Sequence, residues 1–305
     1  MRSLIRMSNI AFATLLLSLL VFASQSVQAA PTVINTADAG TGSLRQAIID
    51  ATTAAAATTI DFNIPTSDPG YDFPTNRFTI TLLTALPNIP LAPLTINNAT
   101  GRGVTVKGGS SFRIFTLVNS AVVVINNLTI SNGNSNGVLD FAKGGGIFMG
   151  DSATLTLNNC IVSANTATNG GGGIWVNNSG TLHVFDSTIS NNTTTGGDGG
   201  GIRINNSGTL NITRSTVSGN HADAAASAGG GGGIYNGVSG TVNATNSTVD
   251  GNTAGNQGGG INNNATVTVS SSTISGNTAT VGGGGIFNGP TFTATLNNSL
   301  VALNT

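Results

Sequence analysis

The sequence predicts an all-β solenoid, a stack of short-stranded coils with a helix at its start, and three observations carry that prediction. The phrase GGGGIWVNNSGTLHVFDSTISNNT from Gly170 returns as GGGIRINNSGTLNITRSTVSGNH from Gly199 and as GGGIYNGVSGTVNATNSTVDGNT from Gly231. Six isoleucines follow glycine runs, Ile147, Ile174, Ile202, Ile234, Ile261 and Ile286, at steps of 27, 28, 32, 27 and 25 residues, each step one solenoid turn. Within a turn, apolar residues alternate at period two, so Leu182 and Val184 face inward and Thr181 and His183 outward, as on a strand.

The elements follow in chain order. Arg2 and Arg6, the apolar run Ile10 to Phe22 and the small residues ending at Ala29 predict a cleaved secretory signal over residues 1–29. Ser43 and Gln46 form a capping box, and Leu44, Ala47, Ile48 and Ala51 line one face of an amphipathic helix that covers the start of the stack. Strands are expected at Thr59 to Ile64, Phe78 to Leu83, Leu94 to Ile96 and Val104 to Val106, as irregular first coils. Residues 30–119 thus form a cap with irregular coils, and 120–305 the regular repeats.

In a regular coil the parity slips between Val184 and Ile189, which places a corner near Phe185 and Asp186. The Ile opens a third strand, and the glycine runs and Gly-Asn pairs supply left-handed corner backbone, so the coil is expected to be triangular. Stacked about 4.8 Å apart, such coils turn equivalent residues into rows. Leu155, Leu182, Leu210, Val242, Val267 and Ala294 form one inner row; Val162, Ile189, Val217, Val249, Ile274 and Val301 form another.

Asn165, Asn192, Asn220, Asn252, Asn277 and Asn304 make a corner column read as a structural ladder whose amides satisfy corner backbone. Cys160 replaces the serine of Ser187, Ser215, Ser247, Ser272 and Ser299, as a small inward corner residue.

Without residues 1–29 the chain holds eight basic residues against eleven aspartates, too few cations for a nucleic-acid or anionic-membrane partner. A single cysteine leaves no intramolecular disulfide, and no segment after the signal is apolar enough to span a bilayer.

The GGGI/GTLTL/NSTISGNTA pattern over Val122 to Thr305 resembles bacterial right-handed parallel β-helix surface proteins with polymorphic outer-membrane-protein-like repeats. The segment TVINTADAGTGSLRQAIIDA resembles the N-terminal module with a CSLREA motif, written here Gly42-Ser43-Leu44-Arg45-Gln46-Ala47. The resemblance implies a right-handed parallel β-helix, secreted to the extracellular or outer-membrane surface of a bacterium.

Many such folds cleave acidic polysaccharides, so a polysaccharide lyase or glycoside hydrolase is the rival reading. It needs acids that converge. Asp186 instead shares a column with Arg214, Asp198 with Lys143, and Asp250 stands alone; no catalytic residue is assigned, and no metal or cofactor is expected, since His183 and His221 have no co-ligand in register.

The position after each Ile gives Phe148, Trp175, Arg203, Tyr235, Asn262 and Phe287, four of them aromatic. As an exposed row this is a candidate ligand-binding platform for sugar rings or a protein surface; as a ladder, Arg203 lies between Trp175 and Tyr235 as a cation–π stack under loops near Asp140 and Ala226. An outward Thr row from Thr154 to Thr293 invites an ice-binding reading, but its neighbouring row is broken by His183, Asn211 and Asn243. The reading adopted is a non-enzymatic, adhesin-like or structural body that contacts polysaccharide or a neighbouring cell surface. Thr305 falls in mid-coil, which suggests a truncated piece or self-association through an open last coil.

Overall fold

A computed structural model describes residues 30–54, 56–109, 111–136, 142–223 and 230–305. The signal segment 1–29 and the loops around Asp140 and Ala226 lie outside these described residues. Among the described residues four sheets of ten, ten, seven and six strands build the stack, and their strands pair in parallel apart from one pair near the start.

The coil that starts at Ile174 shows how the sequence is used. Ile174–Val176, Thr181–Phe185, Thr188–Ser190 and Thr193–Thr194 each join a different sheet. The expected triangle therefore has a fourth side, because the chain after Asn192 pairs along the stack for two residues before it turns into the glycine run.

Register matches the expected rows: Leu155 pairs with Leu182, Leu182 with Leu210, Leu210 with Val242, and so on to Ala294. Leu182, Val184, Ile189 and Ile174 are fully buried, which is the hydrophobic gain that holds the coil closed. In the last described coil, Leu296, Leu300 and Val301 are exposed.

Corners take left-handed backbone where expected, at Asp186 (φ 49°) and Gly171 (φ 59°). At the asparagine corner the left-handed residue is the one before the column, Ala164, Asn191, Gly219, Gly251, Gly276 and Leu303, and not the column asparagine. Where the corner reads Gly-Asn, as at Gly219, Gly251 and Gly276, the glycine supplies the left-handed backbone as expected.

At the start, the helix spans Leu44–Thr53 and buries Leu44, Ala47, Ile48 and Ala51 against Thr32–Val33 and Thr58–Phe62, the first strands of one long sheet. Ser43 Oγ accepts from the Gln46 N–H at 3.2 Å, but the Gln46 side chain bonds Asp50, so only half of the capping box forms. One antiparallel pair, Tyr71–Asp72 with Arg77–Thr81, precedes the regular stack.

Candidate functional site

The ring column is built by the seven-stranded sheet. Phe148, Trp175, Arg203, Tyr235, Asn262 and Phe287 pair in register, each on the middle residue of its strand. The side chains point away from the inner rows, yet the row is not an open face: Trp175 is only 3% exposed and Asn262 is fully buried. Over Trp175 and Arg203 the glycine run folds back so closely that a Cβ on Gly170 would lie 2.9 Å from Arg203 Cδ and 3.2 Å from the Trp175 ring.

Cations fill the spaces between the rings. The Arg203 guanidinium lies 4.5 Å from the Trp175 centroid and 4.9 Å from that of Tyr235, Lys143 Nζ lies 5.0 Å from the Trp175 centroid, and the Arg113 guanidinium 4.7 Å from that of Phe148. Each such contact contributes about 1 kcal/mol. Trp175 is thus held by a cation from the rung before and one from the rung after.

Asp198 completes the cluster by pairing with Arg203. The shared column of Lys143, Gly170 and Asp198 is as the sequence suggested, but the Asp198–Arg203 pair was not read from it. Burial pushes the Asp198 carboxyl above its usual range against the opposing pull of Arg203, and burial together with the Asp198 charge pushes the Tyr235 phenol up.

The asparagine column is a continuous amide ladder. Asn192 N and Nδ2 both donate to Asn220 Oδ1 at 3.0 Å, and Asn220 Nδ2 donates to Ile189 O and to Asn252 Oδ1, each at 2.9 Å. The same bonds recur from Asn165 through Asn252 and Asn277 to Asn304. Beside it runs a serine ladder in which Ser187 N donates to Ser215 Oγ and Cys160 N to Ser187 Oγ.

Cys160 fits that ladder as a buried thiol donating to Ile125 O, and desolvation pushes its pKa up to about 11. Iodoacetamide at mildly alkaline pH should therefore leave Cys160 unlabelled in the native protein and label it after denaturation. Rapid native labelling would show that this corner opens.

The match to known proteins follows this geometry: residues 94–304 fit the family described as "Right handed beta helix region". The chain belongs to the right-handed β-helix family. No curated protein matches the chain well enough to count as a relative.

Several other polar groups of this β-helix are also engaged along the stack. Arg214 forms a bidentate pair with Asp186, both contacts 2.7 Å, which holds the Asp186 carboxyl below its usual range. Asp151 accepts from Asn177, and Asp250 from Ser275. His183 stacks on Phe185 and bonds Asn211, which in turn accepts from Asn243, so the row beside the threonines is a side-chain ladder. Among the described residues no three His, Cys, Asp or Glu converge as metal ligands would.

One core feature escaped the sequence reading. The inner column Leu117, Met149, Val176 and Ile204 changes to Asn236, Asn263 and Asn288, where Asn236 Nδ2 donates to Asn263 Oδ1 at 2.7 Å and Asn263 Nδ2 to Asn288 Oδ1 at 2.6 Å. The run INNN at Ile261 carries the signal, since a polar residue at a known inward slot demands a partner on the next rung.

Proposed function

We propose that this protein is a non-enzymatic, secreted or cell-surface β-helix, adhesin-like or structural, which presents a rigid body to glycans or other surfaces. The observation that carries the reading is the use of polar side chains: Asp151, Asp186, Asp198 and Asp250 each bond a neighbouring rung or strand, and no two of them share a site. A cleaving enzyme needs two such groups, or one beside a base, around an open bond.

In this reading the column of Phe148, Trp175, Arg203, Tyr235 and Phe287 stiffens the stack as a ladder. Secretion and a bacterial surface location rest on the signal-like residues 1–29 and on the resemblance to repeat-bearing surface proteins with a CSLREA-like module. No described helix is long and apolar enough to cross a membrane.

The test is a glycan array probed with the purified chain, followed by product analysis on every glycan retained. Binding without shorter products is the expected result. Shorter chains or unsaturated sugar ends would replace this reading with a polysaccharide-cleaving one.

A further inference from the structure

The turn between the two ten-stranded sheets is normally tight: Asp186 and Ser187 alone link Thr181–Phe185 to Thr188–Ser190. Between Leu94–Asn97 and Gly103–Lys107 the same turn takes five residues, Asn98 to Arg102. Loops that depart from a repeat are where solenoids add binding surface. This one borders a groove of about 460 Å3 lined by Arg77, Arg102, Asn127, Thr129, Asn159 and Ile161 among others.

The two arginines there differ from the rest. Arg45, Arg203 and Arg214 each pair with an aspartate, and Arg113 lies over a ring. Among the described residues Arg77 and Arg102 have no carboxylate partner. Arg77 Nη1 donates to the hydroxyls of Thr105 and Thr129 at 3.2 and 2.9 Å, while Arg102 Nε is buried with no hydrogen-bond partner.

The asparagine amides nearby are engaged with the corner. Asn159 Nδ2 donates to Asn127 Oδ1, Asn127 Nδ2 to Asn98 O, and Asn98 Nδ2 to Arg102 O. The uncommitted donors of the groove are therefore guanidinium N–H groups, and no carboxylate lines it. A buried donor left unpaired is destabilising, and an anionic oxygen is the partner that satisfies it best.

Shape narrows the ligand. Arg77, Gly103, Thr129 and Ile161 lie on four successive rungs, so the groove runs about 14 Å, longer than an inorganic anion and near the length of two or three sugars. Its floor offers both a hydroxyl, at Thr129, and apolar surface, at the part-exposed Ile161. Two cations are too few for a nucleic acid.

We infer that this groove binds an acidic saccharide, with Arg77 and Arg102 holding its carboxylate or sulfate group. The class of molecule rests on the glycan-contacting reading above; the charge rests on the two arginines alone.

Calorimetric titration of the whole chain tests it, with a uronate trisaccharide, a sulfated trisaccharide, a neutral trisaccharide and sodium sulfate as probes. At least one charged trisaccharide should bind once per chain, about tenfold or more tighter than the neutral sugar and sodium sulfate, with affinity falling as salt rises. Which of the two binds assigns carboxylate or sulfate. Arg102→Gln should weaken that binding about tenfold or more at an unchanged melting temperature, and Arg102→Lys should restore part of it, because lysine keeps the charge without the planar fork.

Failure of every probe to bind, equal binding of the neutral sugar, or an affinity indifferent to both Arg102 variants would overturn the assignment. Sodium sulfate binding as tightly as the trisaccharides would overturn its saccharide part. A trisaccharide recovered cleaved would instead refute the non-catalytic reading and leave the groove standing.

Discussion

Gly172→Ala is expected to destabilise the protein by about 3 kcal/mol or more. A Cβ on Gly172 would lie 2.4 Å from the carbonyl oxygens of both Gly200 and Thr193. Both are backbone atoms, so relief requires moving a rung that is paired on either side. Gly282→Ala is the control, since a Cβ there meets nothing within 4 Å. Thermal and urea denaturation of the two variants should therefore diverge widely. Equal stability would mean that the rungs near the glycine run are less closely packed than described.

Asn220→Ala should come next, with a loss of about 3 kcal/mol. The substitution removes a side chain that makes four hydrogen bonds and leaves the Asn192 N–H and Ile189 carbonyl buried without them. Because the ladder is continuous, the effect should also appear as faster amide exchange at Asn192, one rung away. A melting temperature within error of the parent chain would remove the ladder from the account of stability.

How much of this was legible in the sequence follows from what a periodic pattern encodes. Leu182, Val184 and Ile189 could be placed inside because alternation over several residues distinguishes the two faces of a strand. Thr193–Thr194 could not be seen as a fourth strand, since two residues show no alternation. The triple glycine was read as left-handed backbone, which holds for Gly171; Gly172 is required instead by the close approach of the next rung.

The ring column shows the sharper limit. Alternation says that Trp175 points away from the inner row, but not that the backbone of Gly170 and the side chain of Arg203 lie on top of it. Arg77 and Arg102 went unread for a related reason. They stand in the irregular coils, where no repeat fixes the rung on which each residue lies, and only the folded chain brings them to one groove. The overlong turn Asn98 to Arg102 was the available signal.

Trp175 offers the most direct test of the central claim, that the ring and cation column is part of the packed fold. As the sole tryptophan it reports on its own surroundings. With a ring 3% exposed and cations before and after it, the native protein should show blue-shifted emission, weak quenching by iodide, and no change when a bound glycan is added. Emission like that of free tryptophan, with strong iodide quenching that a glycan suppresses, would contradict the account and make the column a binding face.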